Sequence, residues 1–142
     1  MKKIAVIIIC ILVVITFFIS IPYVNDFRTS RVVKELEELA LPENTEYIES
    51  VSATGHLFGN GDGTRYLGCI LVKSELSSDE LRSYYSAYWE NCLVENQTGQ
   101  ELELIELENI SFKTKIDEDN YYSISVWVDG KDPFAWLDLR GA

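Results

Sequence analysis

A chain of 142 residues with 12 Lys and Arg against 23 Asp and Glu carries a net charge of −11, and is long enough for one domain with a core but too short for two. Setting aside Lys2 and Lys3 leaves 10 basic residues against 23 acidic ones, a net of −13 for everything downstream. That balance excludes nucleic acid, whose binding needs clustered Lys and Arg to displace counterions, and suits a soluble acidic surface or a basic partner.

Residues 4–21, IAVIIICILVVITFFISI, form an apolar run relieved only by Cys10, Thr16 and Ser20. As a helix the run measures about 27 Å, close to the ~30 Å hydrocarbon layer of a bilayer. A cleaved secretory signal needs a small-residue site that the exit FFISIPYVND lacks. A lipoprotein signal needs small residues before its cysteine, and Ile8 and Ile9 stand there instead. The run fits a signal anchor, with residues 1–22 as a transmembrane segment closed by Pro22 and the lipid bilayer engaged through residues 4–21. Lys2 and Lys3 favour a cytoplasmic N-terminus, while Arg28, Arg31 and Lys34 argue the opposite. The tail before the run is only three residues long, so the following domain is expected to be translocated to the extracytoplasmic side.

Residues 23–42 are expected to hold a juxtamembrane amphipathic helix, since Val32, Val33, Leu36, Leu39 and Ala40 recur at helical spacing before Pro42 ends it. An α+β domain over residues 43–142 should follow. After the turn PENTEY, Tyr47 to Leu57 reads as a strand packed through Ile48, Val51 and Ala53. Five of the eight glycines then fall in GHLFGNGDGTRYLG, residues 55–68. Asn60-Gly61 and Asp62-Gly63 accept positive φ and signal a hairpin. Thr64 to Leu76 is apolar on both parities from Tyr66 to Val72, which suggests the central strand, covered on both faces or on one with the membrane stalk near the other.

In LSSDELRSYYSAYWENC, Ser77 and Glu80 form a capping box and Leu76 can staple onto Leu81. The helix carries Tyr84, Tyr85, Tyr88 and Trp89, which either present a binding face, with Tyr85 and Trp89 as partner contacts, or fill the core. Beyond it LVENQ, ELELIELE, ISFKTKI and YYSISVWV read as short strands, and DGKDPFAWLDLRGA as a turn and a short apolar clasp. Cys69 and Cys92 either pair as a disulfide worth about 3 kcal/mol or are two small buried side chains.

Ligand chemistry in the glycine segment fails several tests. Gly59 and Gly61 are followed by Thr64 where a dinucleotide fingerprint needs its third glycine. Cys69 and Ile70 stand where a phosphate loop needs Lys and a hydroxyl, and Phe58 and Cys69 stand where a helix-loop-helix calcium site needs oxygen ligands. Asp62 with backbone carbonyls is left as a weak cation site. The single histidine, His56, has no nucleophile or orienting partner in a recognised pattern. No cofactor or metal motif is present.

The anchor, the Leu41-Pro42 exit, GNGDG with Tyr66, KSELSSDELRSYY and the final DLRG resemble uncharacterised small membrane-anchored proteins of Gram-positive bacteria. The likeness implies location and architecture and no catalytic residues. The expected molecule is α+β: a transmembrane helix and an ectodomain with one main helix on an antiparallel sheet of about five strands. Its expected role is a non-catalytic cell-envelope interaction module for a protein or peptide partner, one version being an immunity-type protein that blocks a toxin at the membrane. The alternative is a small surface enzyme or ligand-binding domain using His56, Asp62 and the glycine hairpin.

Overall fold

The computed structural model describes residues 2–55, 64–102, 110–138 and 140. His56, Asp62, the centre of the glycine segment and most of ELELIELE lie outside them. The architecture is α+β: α1 (Lys2–Glu37), β1 (Thr45–Gly55), β2 (Arg65–Ser74), α2 (Ser78–Ser86), β3 (Cys92–Asn96), β4 (Tyr121–Asp129) and a one-turn α3 (Pro133–Trp136). The strands make one antiparallel sheet in the order β1-β2-β4-β3.

Among the described residues four strands stand where about five were expected. Within those residues ISFKTKI forms an isolated bridge between Ser111 and Glu101, flanked by bonds from the Leu102 N–H to the Ile110 carbonyl and from the Phe112 N–H to the Gln100 carbonyl, and side chains add to it. The Glu49 carboxylate accepts from the Lys113 and Thr114 N–H groups at 3.2 and 2.7 Å. The Gln100 side-chain amide donates to the Phe112 and Lys113 carbonyls.

The N-terminal apolar run is a single helix long and apolar enough to cross a membrane. Pro22 does not close it. A proline removes one N–H and crowds the carbonyl four residues back, yet α1 continues through Pro22 to Glu37, a rod of about 54 Å in all. Packing holds the second half in place. Ile21, Asn25, Thr29, Val32 and Leu36 are buried, and their spacing of three and four residues makes one stripe that lies across β1 and β2. The apolar run and the amphipathic segment after it are therefore one helix, and its second half is part of the domain core.

The sheet admits the helix because it offers small residues there. Ser52 stands opposite Gly68 in the register; on the same face the Ser50 hydroxyl donates to Glu37 and the Thr54 hydroxyl is hydrogen-bonded to that of Thr29. A Cβ on Gly68 would stand 3.1 Å from the Val33 nitrogen, 3.2 Å from its Cα and 3.2 Å from Val32 Cγ1. One of the five clustered glycines thus serves close approach of the helix, with no part in the turn.

β2 is interior and covered on both sides, as its double parity suggests. On the α1 face Tyr66, Ile70 and Val72 join Val32, Leu36, Leu81, Tyr85, Val94, Ile124 and Val126. On the other, Leu67, Cys69 and Leu71 pack with Leu102, Phe112 and Tyr121, with Ile48, Val51 and Ala53 of β1 at the margin. The capping box at α2 is present in full, the Ser77 hydroxyl accepting from the Glu80 N–H and the Glu80 carboxylate from the Ser77 N–H. α2 ends at Ser86, short of Cys92, which is drawn into β3 opposite Val126.

Candidate functional site

The helix defines two ends of the domain. As α1 runs from Thr29 to Glu37 it meets β1 at Thr54 and then at Ser50, so β1 descends as α1 rises. Gly55, Arg65 and Asp129 consequently lie at the end nearer the apolar half of α1, and Thr45, Ser74 and Tyr121 at the far end.

The near end is a polar latch between α1 and the C-terminal residues. Asn25, fully buried, donates through Nδ2 to the Phe134 carbonyl at 3.0 Å and to Asp138 Oδ2 at 2.8 Å. Its Oδ1 accepts from the Tyr66 hydroxyl at 2.8 Å, which itself accepts from Arg28 Nη1 at 2.9 Å. Arg28 also pairs with Asp132 at 2.6 Å, whose carboxylate caps α3 by accepting from the Phe134 N–H. Arg140 grips Asp138 through Nε and Nη2 at 2.9 and 2.7 Å, and reaches Asp26 at 2.7 Å and the Pro22 carbonyl at 3.2 Å. The Arg140 hydrogen bonds hold the Asp138 carboxyl down at about 2, against its burial and with help from Asn25. Every member of this cluster is occupied in joining the tail to the helix.

The far end has the opposite character. A hollow of about 360 Å³ is lined by Asn44, Thr45, Glu46, Lys73, Ser74, Glu75 and Asn120. Asn44 enters it with φ 56°, and its carbonyl accepts from the Glu75 N–H at 3.1 Å. Lys73 pairs with Glu118 at 2.7 Å, and the Asn120 side-chain oxygen is buried with no donor among the described residues. Glu43, Glu46, Glu75 and Asp119 are exposed, and among the described residues none has a cation within 4.0 Å. The near end matches Arg28, Arg65 and Arg140 with Asp132, Asp129, Asp26 and Asp138, while the far end holds Glu43, Glu46, Glu75 and Asp119 beyond its Lys73–Glu118 and Lys115–Asp117 pairs.

The residues singled out from sequence fare differently. Tyr85 is wholly buried, edge-on to Tyr84 with ring centroids 5.1 Å apart, and has no surface for a partner. Trp89 is half-buried against the same core. Of the four aromatic residues in and just after α2, Tyr88 is the exposed one, at 57%. His56 and Asp62 fall outside the described residues. Among those residues no group of three or more His, Cys, Asp or Glu could hold a metal ion.

Cys69 and Cys92 do not pair; both are free. Cys69 lies opposite Ser125 and Cys92 opposite Val126, so β4 runs between them, and they belong to cores on opposite faces. Two strand steps put their Cα atoms about 10 Å apart, beyond the ~7 Å reach of a disulfide. Burial pushes the thiols up to about 12 and about 11 respectively, which leaves neither ionised as a nucleophile at neutral pH.

Tyr85 also carries a testable cost. Its buried hydroxyl has no partner among the described residues, and burial drives the phenol pKa upward. Tyr85→Phe removes that group without removing the ring, and should raise stability by about 1 kcal/mol. A lower thermal midpoint for the variant in detergent would show that the hydroxyl is satisfied.

Compared with known proteins, the chain matches no family model, no curated protein and no solved structure, so function rests on the geometry of these two ends. The motifs behind the sequence resemblance have structural places where they are described: KSELSSDELRSYY is the step from β2 into α2, and DLRG supplies the latch residues Asp138 and Arg140.

Proposed function

We propose that this protein is a single-pass, membrane-anchored interaction module whose acidic far end binds a basic protein or peptide segment on the extracytoplasmic side. The observation that carries the reading is an excess of carboxylates at the far end. Among the described residues Glu43, Glu46, Glu75 and Asp119 are exposed without an ion pair around a hollow whose one cation, Lys73, is taken by Glu118, whereas the near-end acids Asp26, Asp129, Asp132 and Asp138 are paired with arginines. An anchor is favoured over a cleaved signal because the fold uses the end of the apolar run. Ile21 is buried, the Phe17 ring packs on Phe134, and the Pro22 carbonyl accepts from Arg140. The unpaired acids then stand away from an anionic bilayer, and a Lys- or Arg-rich segment would find several exposed carboxylates together.

The test uses the full chain in nanodiscs of neutral lipid and a Lys/Arg-rich peptide as probe. Binding is expected at low salt and should fade as ionic strength rises. The triple variant Glu43→Gln, Glu46→Gln, Glu75→Gln should weaken it by about tenfold. Unchanged affinity in that variant, or no binding to the parent at low salt, refutes the acidic-tip reading. Protease added to intact cells should remove the domain; protection until lysis would place it in the cytoplasm.

A further inference from the structure

We infer that the C-terminal clasp is a second membrane contact: α3 lies in the headgroup layer of the bilayer crossed by α1, with Trp136 and Leu137 turned toward the acyl chains. The inference rests on α1 being a membrane span. Depth follows from the contacts. The Phe134 ring packs on Phe17 at a centroid distance of 5.5 Å, four residues inside the end of the apolar run, and Asn25 and the Pro22 carbonyl hold the residues that follow. α3 is thereby pinned alongside residues 17–25. With hydrocarbon beginning at Ile4, a layer of ~30 Å ends about 20 residues later, near Tyr23. The clasp stands at that boundary.

The side chains suit it. Tyr23 and Phe27 on α1 are 72% and 65% exposed, and Trp136 and Leu137 on the clasp 66% and 40%. Four large apolar residues left in the open around one level of a spanning helix are costly in water and favoured at a membrane interface, where Trp and Tyr rings bridge headgroup and acyl chain. The inner side of α3 is fixed by the domain. Ala135 is buried, and its carbonyl accepts from the Thr64 hydroxyl at 2.7 Å. Gly130 makes room for that approach, since a Cβ there would meet Ala135 Cβ at 2.4 Å. Trp136 is accordingly the outward part of a held turn. A span with a rigid lateral foot fixes the tilt of the domain on the bilayer and aims its far end away from it.

Full-length protein in phosphatidylcholine vesicles, with bromine on the acyl chains close to the headgroups, provides the test. Trp136 is one of three tryptophans and the one placed at the bilayer, so Trp136→Phe should remove most of the quenching seen in the parent. Leu137→Glu, which keeps every tryptophan, should also reduce quenching by drawing the turn outward, and near-UV circular dichroism confirms that each variant is folded. Equal quenching in parent and Trp136→Phe, with the protein still held in vesicles after alkaline extraction, overturns the inference and leaves the span intact. Release of the parent by alkaline extraction overturns the span itself, and the inference with it.

Discussion

Gly68→Val is expected to undock the upper half of α1 from the sheet and to cost about 3 kcal/mol or more of stability. At 3.1 to 3.2 Å, two of the three atoms nearest the new Cβ belong to the backbone of Val33, and a helix backbone cannot rotate aside as a flexible side chain would. The third is Cγ1 of Val32, itself a core residue packed with Leu36 and Tyr66. Alanine adds only the Cβ and requires a shift of a few tenths of an ångström, costing on the order of 1 kcal/mol; valine adds two further methyl groups in the same place. Thermal unfolding of the full chain in detergent measures the series. A valine variant as stable as the parent would mean that α1 does not pack where this structure puts it.

The second large effect is an acid-dependent loosening of the latch. Asp138 is held near 2 by Arg140 and Asn25, below its ordinary 3.8. A depressed carboxyl pKa contributes stability above the unfolded value, and the contribution is lost as pH falls through the folded one. The window is therefore from just above pH 4 down to about pH 2, and the amount is about 2 kcal/mol. Because 23 acidic residues titrate over the same range, the measurement must be a difference. The stability gap between the parent and Asp138→Asn should be largest at neutral pH and should narrow by about 2 kcal/mol by pH 2. A gap that does not change with pH would show that the Asp138–Arg140 pair does not stabilise the fold.

Some features were legible because their causes are local. The capping box at Ser77 and Glu80 needs only residues three apart. The double parity of Tyr66 to Val72 marks an interior strand, since residues facing either way must avoid water. The faces of β4 follow from alternation alone, with Tyr122, Ile124 and Val126 on one side and Tyr121 and Trp127 on the other.

Other features were hidden because they depend on what lies across space. The stripe on α1 begins at Ile21 and includes Asn25 and Thr29, two polar residues that interrupt any hydrophobic pattern. They are buried because Tyr66, Asp138, Phe134 and Thr54, all distant in sequence, satisfy them. Pro22 looked like a boundary for the same reason. A missing N–H is a local fact, whereas continuation of the helix is supplied by packing that no window of sequence contains.

By itself the sequence determined an apolar helix long enough to cross a bilayer, an α+β domain, an interior strand and a capped helix, all of which follow from periodicity, composition and chain stereochemistry. Only the tertiary structure decided that α1 is a core element as well as a candidate span. It also decided that Gly68 serves helix packing, that Tyr85 is core, and that Cys69 and Cys92 face opposite ways. It also brought the tail back onto α1 and set Glu46 and Glu75 around one hollow at the far end. The physical reason is the same in each case: a side chain's environment is set by strand order and helix placement, and these join residues that the chain keeps tens of positions apart.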